Sequence, residues 1–255
     1  MSQPLSERWR SGAALLISVV ALVGIILWAP AEGPAGIRRL IFGEDRLRDP
    51  ADVPAGGTHA FIDNQPGDPD DPVAWDPCDA IHYEINPDGA PDWMDDPADF
   101  VEEAVEIVEH YTGLEFEYDG TTDRRPEWDR VFVPSLGRRE PVLISWATED
   151  EVRQLEEDVA GIGGSVAVEV TPGGRKRYVT GGVTLDSDSF DQLDGVFGAD
   201  DEEGRAIVLH ELGHLVGLDH VDSSEELMFS ENLGRTDFGT GDLNGLVALG
   251  QGDCF

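Results

Sequence analysis

The stretch His210-Glu211-Leu212-Gly213-His214-Leu215-Val216-Gly217-Leu218-Asp219-His220 constrains this chain more than any other, because three imidazoles and a carboxylate fall there at metal-site spacing. Residues four apart share one face of a helix, so His210 and His214 stand one above the other. Two neutral imidazoles placed in this way can hold one side of a tetrahedral Zn2+. Glu211 between them is placed to act on a metal-bound water rather than to ligate. Gly217 can adopt a left-handed conformation, which ends the helix and lets the chain turn back. His220 can then reach the same metal as a third ligand, and the fourth position stays open for water, as catalytic zinc requires.

The string resembles the extended zinc motif HExxHxxGxxH of the metzincin metalloproteases. Glu226-Leu227-Met228-Phe229-Ser230 resembles the methionine turn of that family, and Met228 lies eight residues past His220, as in the matrixin branch. The tail from Asp242 to Gly250 is similar to the last helix of that branch, with Asp242 as its N-cap. The resemblance covers most of residues 75 to 250. It implies an α+β matrixin-like fold: a twisted, mostly parallel sheet with an antiparallel edge strand, a zinc helix and a C-terminal helix. It also implies one catalytic Zn2+ on His210, His214 and His220, Glu211 as general base, and Met228 supporting the site from below. The chain departs from the pattern where matrixins usually carry Tyr-Pro after the turn methionine. Phe229-Ser230 stand there, so the wall of the specificity pocket is not implied. Nor is latency by a propeptide cysteine, since Cys78 stands in Asp76-Pro77-Cys78-Asp79.

Along the chain, a polar start with Arg8 and Arg10 gives residues 1–12 as a cytoplasmic N-terminus. An apolar run from Ala13 to Ala29 follows, interrupted by Ser18 and Gly24. As a helix it spans roughly 26 Å, near the lower limit for a bilayer. Trp9 and Trp28 bracket it as interfacial aromatics do. The expectation is a transmembrane anchor over 13–29, with a cleaved signal peptide as the alternative; Pro30 makes Ala29-Pro30-Ala31 a poor cleavage site. Either way the bulk of the chain is exported. Residues 30–73 are rich in Pro, Gly and Asp and lack sustained periodicity, which reads as a low-complexity stalk. The metalloprotease-like domain is expected over 74–255.

Within that domain, Ile81 to Ile85 alternates as a strand does, and Phe100 to Tyr111 carries a helical apolar stripe stopped by Thr112-Gly113. Leu114 to Tyr118 and Val142 to Trp146 are further strands. Two alternating runs, Ser165 to Val170 and Tyr178 to Leu185, flank Thr171-Pro172-Gly173-Gly174 and form a hairpin. The resemblance implies that its edge strand, with Val166, Ala167 and Val168, pairs with an extended protein or peptide substrate through main-chain hydrogen bonds. The alternative is a hairpin that only covers the core. Asp186 and Asp188 stand where matrixins often bind Ca2+, although Ca2+ needs six to eight oxygens and the others have no candidates here. Arg205 to Val216 is the expected zinc helix. His59, His82 and His110 read as structural or solvated.

The chain has 53 acidic and 17 basic residues, a net charge of -36, and one lysine, Lys176. Such an excess excludes a nucleic-acid surface, which needs clustered Lys and Arg. It fits a protein working at molar salt, where the Debye length is about 3 Å and self-repulsion is screened. With 40% hydrophobic residues the chain is not an acidic disordered one. Two cysteines, Cys78 and Cys254, flank the domain and are expected to pair in an oxidising exterior. The sequence therefore reads as an exported, membrane-anchored zinc endopeptidase. Two alternatives stay open: a catalytically idle zinc-stabilised binding module, and a non-peptide zinc hydrolase. Nothing in the sequence sets the oligomeric state.

Overall fold

The computed structural model describes residues 46–129, 140–157, 159–170, 173–193, 200–231 and 234–254. The apolar run 13–29, the first part of the expected stalk, and Thr171 and Pro172 of the hairpin turn lie outside the described residues. Among the described residues no helix is long and apolar enough to cross a membrane. The elements in chain order are β1 (Ala60–Phe61), β2 (Ile81–Asn86), α1 (Pro97–Thr112), β3 (Phe116–Thr121), β4 (Val142–Ala147), β5 (Gly161–Glu169), β6 (Lys176–Asp186), α2 (Ser187–Gln192), α3 (Asp200–Val216), β7 (Leu218–Asp219) and α4 (Thr240–Gly250).

Five strands form one sheet in the order β3-β2-β4-β6-β5. β3, β2, β4 and β6 run parallel, and β5 closes the sheet as an antiparallel edge. β4 sits in the middle, and every residue of Val142–Ala147 is buried, as a strand covered on both faces requires. β3 lies at the other edge and alternates between half-buried and exposed. α1 begins where Asp96 accepts hydrogen bonds from the Ala98 and Asp99 amides ahead of Pro97, and it stops at Gly113 with φ 67°. Its stripe of Val101, Ala104, Val105 and Val108 is buried together with Leu209, Leu212 and Leu215 of α3 and Ile85, Ile144 and Leu185 of the sheet. Burying this continuous apolar layer is the main stabilising term, at about 1.5–3 kcal/mol per large aliphatic side chain.

Three readings of the sequence need correction. β5 begins at Gly161, four residues ahead of the expected start, because Gly161-Ile162-Gly163-Gly164 has no alternation to announce a strand; its glycines are instead required by the packing of α3. Asp242 is not the N-cap of α4, which is Gly239; it lies one turn in and reaches back to accept the Gly239 amide at 2.9 Å. Residues 46–73 do not stand off as a stalk, since the compact unit begins at Arg46. The Arg46 guanidinium donates to the carbonyls of Gly250, Gln251 and Gly252 at the end of α4, and Leu47 N–H donates to Pro77. Further along, β1 pairs antiparallel with β7, and Lys176 holds Asp63 at 2.9 Å. These partners are distant in sequence, so no local periodicity could mark the segment as ordered. Cys78 and Cys254 form a disulfide, with Cα atoms 5.4 Å apart, joining the start of the domain to the end of the chain.

Candidate metal centre

α3 carries His210, Glu211 and His214 toward the sheet edge. Gly217, with φ 123°, ends the helix; its N–H donates to the Gly213 and His214 carbonyls. A side chain at that angle would be strained, so this turn depends on glycine. The reversal leads through β7 to His220, whose Nε2 lies 3.0 Å from His210 Nε2 and 3.2 Å from His214 Nε2. His210 and His214 are half-buried and His220 is exposed, which leaves the cluster open on one side.

Hydrogen bonds to the other ring nitrogens set the tautomers. His210 Nδ1 lies 2.8 Å from the Leu227 carbonyl, and His214 Nδ1 lies 2.8 Å from the Leu218 carbonyl. A carbonyl oxygen only accepts, so each Nδ1 carries the proton and each Nε2 presents a lone pair to His220. One proton on His220 could satisfy only one of those lone pairs. A cation at the centre satisfies all three, and nitrogens at zinc-ligand distance from one tetrahedral ion lie roughly 3.3 Å apart. Burial lowers the His210 pKa to about 4, helped by neighbouring His214, and burial likewise lowers that of His214. Both rings are therefore neutral at pH 7, as ligation requires. On donor type, spacing and protonation the residues fit Zn2+.

Glu211 is buried at 6% exposure, and its Oε2 has no hydrogen-bond partner among the described residues. Burial pushes its carboxyl up to about 8, opposed by a hydrogen bond from Gly163 N–H. A cation close by would lower it again. Its side chain lies so close to β5 that a Cβ on Gly161 would meet Glu211 Cγ at 2.8 Å, and one on Gly163 would meet the Glu211 carbonyl oxygen at 2.1 Å. The glycines of β5 therefore let α3 approach the sheet edge, and they mark Gly161 to Gly163 as the part of that edge against Glu211. Val166, Ala167 and Val168 lie further along the same strand, with a bulge between Val166 and Ala167. Met228 is buried at 1% exposure against Gly213, beneath the helix turn that separates the two histidines.

Other expected residues are placed differently. Asp186 caps α2, accepting from the Ser189 amide at 2.8 Å and its hydroxyl at 2.7 Å. Neither Asp186 nor Asp188 joins a group of three ligating side chains among the described residues. His82 lies on β2, beside the edge strand β3, with Nδ1 3.0 Å from Asp119 and Nε2 3.7 Å from Glu117. A cavity of about 540 Å³ lies over β4, β6 and β5 with Trp128 as a wall, and it contains none of the histidines.

The sequence reading missed Glu226 and the role of Asp242. Glu226 is buried at 3% exposure and accepts three backbone amides, from Thr58, Gly241 and Asp242. Asp242 accepts the Leu227 and Gly239 amides. The available signal was weak: a carboxylate directly before Leu227-Met228, inside the segment that resembles the methionine turn.

The Matrixin peptidase family model matches residues 74–237. No match to a curated protein is found. Among solved structures, the GM1-bound form of the ECX AB5 holotoxin superposes with a TM-score of 0.40 at 14% identity, covering 69% of this chain and 81% of that one.

Proposed function

Since the chain belongs to the matrixin family of peptidases, we propose that it is a zinc-dependent endopeptidase, exported and held to the membrane by the run 13–29 with the catalytic domain outside. The observation that carries the reading is the convergence of three imidazole Nε2 atoms, together with a buried Glu211 oxygen on α3 that has no hydrogen-bond partner among the described residues. His210, His214 and His220 would hold the ion, with the donor atoms of His210 and His214 aimed by the Leu227 and Leu218 carbonyls. When bound, zinc supplies Lewis acidity toward a carbonyl and acidifies a water. Glu211 accepts that water's proton at its carboxylate and delivers it to the leaving amine. The free edge of β5, from Gly161 past Val166, Ala167 and Val168, receives an extended peptide by main-chain hydrogen bonds. Gly161 and Gly163 keep that edge within reach of Glu211.

Two variants of the full chain test the reading, assayed at high salt so that unfolding does not imitate loss of chemistry. Glu211→Gln keeps the size but cannot take a proton, so zinc stays bound while peptide hydrolysis falls by about 10² to 10⁴. His214→Ala removes a ligand, and zinc occupancy itself falls. Equal hydrolysis by wild type and Glu211→Gln refutes the general-base role. Zinc retained by both with no cleavage across a broad peptide library replaces the protease by a zinc-stabilised binding module.

A further inference from the structure

The partners that aim the imidazoles are themselves held by one segment. The Leu227 carbonyl that fixes His210 belongs to the methionine turn. The Leu218 carbonyl that fixes His214 belongs to β7, and His220 follows β7 directly. Residues 46–73 bind both places. Phe61 pairs with Leu218 and Ala60 with Asp219, and the Ile62 amide donates to the Gly217 carbonyl at 3.0 Å. Three residues before Phe61, the Thr58 amide donates to Glu226 Oε1 at 3.1 Å. The other oxygen of Glu226 accepts the amides of Gly241 at 2.8 Å and Asp242 at 3.2 Å, which ties the turn to the start of α4.

We propose that Glu226 is a positioning residue for the metal centre: by joining the strap at Thr58 to the methionine turn, it sets the carbonyls that orient His210 and His214 and the strand that presents His220. Both of its oxygens are needed. With Oε1 on the Thr58 amide and Oε2 on the Gly241 and Asp242 amides, the carboxylate serves residues 46–73 on one side and α4 on the other, and no other side chain among the described residues accepts the Thr58 amide. Residues 46–73 then belong to the metal centre as much as α3 does, because two of the three imidazoles are referred to β7 and the third to the turn. Groups that orient metal-ligating histidines typically change affinity by 10- to 100-fold when lost. The proposal rests on zinc being held by the three imidazoles and is independent of hydrolysis.

Glu226→Gln in the full chain tests it. The amide oxygen can still accept from α4, but the new NH2 group faces the Thr58 N–H, donor against donor, so the strap is released selectively. Zinc affinity is measured by competition with a chromophoric chelator, under conditions where circular dichroism shows the variant folded. Amide exchange of residues 57–62 is followed by mass spectrometry. The expected result is affinity lower by at least about tenfold together with faster exchange of those amides. Val105→Ala, a cavity in the α1 stripe, serves as the control for instability alone and should leave zinc affinity within twofold. If Glu226→Gln does not fold, Phe61→Ala, which loosens β1 from outside the turn, is read in the same way. Unchanged zinc affinity with released strap amides overturns the proposal, as does unchanged protection of the strap. A wild-type chain that binds no zinc overturns both the metal reading and this one; a chain that binds zinc tightly but cleaves nothing overturns only the hydrolytic role.

Discussion

Gly213 offers the sharpest test of how the helix and the methionine turn fit together. In an ordinary helix interior, Gly→Ala stabilises by about 0.8–1 kcal/mol, since glycine loses the most backbone freedom on folding. Here an added Cβ would lie 2.7 Å from Met228 Sδ and 3.3 Å from its Cε, and Met228 is only 1% exposed, so it has little space to retreat into. Overpacking of this kind costs about 1–3 kcal/mol. The net expectation for Gly213→Ala is therefore a loss of about 0–2 kcal/mol. In a Met228→Ala background, which alone costs about 2–5 kcal/mol, the clash is gone and Gly213→Ala should stabilise by about 1 kcal/mol. The four proteins of this cycle are compared by urea unfolding at high salt, with and without zinc. A coupling of about 1–3 kcal/mol is expected, with the double variant more stable than the sum of its parts. If Gly213→Ala stabilises equally in both backgrounds, to within the roughly 0.3–0.5 kcal/mol of ordinary additivity, the packing argument is wrong.

Burial raises the Asp242 carboxyl from 3.8 to about 6, opposed by the backbone hydrogen bonds it accepts and reinforced by nearby Glu226. The folded state then binds this proton more tightly than the unfolded state, so the contribution is present below about pH 4 and is lost as pH rises to about 6. By linkage it amounts to about 3 kcal/mol. Unfolding free energy of wild type minus Asp242→Asn should fall across that window, and a difference that is flat with pH would show that Asp242 does not titrate there. Reducing the Cys78–Cys254 disulfide, which spans 176 residues, should lower stability by about 5 kcal/mol on the chain-entropy model. Oxidised and reduced proteins with the same urea midpoint would contradict this. With a net charge of -36, stability should rise with salt into the molar range, read as the midpoint of thermal unfolding. Full stability in dilute buffer would count against screening as a requirement.

Where a feature is local, the sequence determined it. The four-residue spacing of His210 and His214, the glycine that reverses the chain before His220, the stripe of α1 and the buried run of β4 all follow from periods of 3.6 and 2, and from the conformations that only glycine adopts readily. The match to the matrixin family begins at residue 74, just where the acidic, Pro- and Gly-rich stretch gives way to periodic sequence. Tertiary structure alone decided what depends on partners far along the chain. Gly161-Ile162-Gly163-Gly164 has the composition of a loop and becomes a strand because Glu211 requires that close approach. Residues 46–73 have no period of their own and are ordered by Gly250, Leu218, Glu226, Lys176 and Arg175, from 104 to 204 positions beyond the residues they hold. Hydrogen bonds of that reach satisfy backbone groups as well as local ones do, but their pairing is set by the packed fold and leaves no periodic trace in the chain.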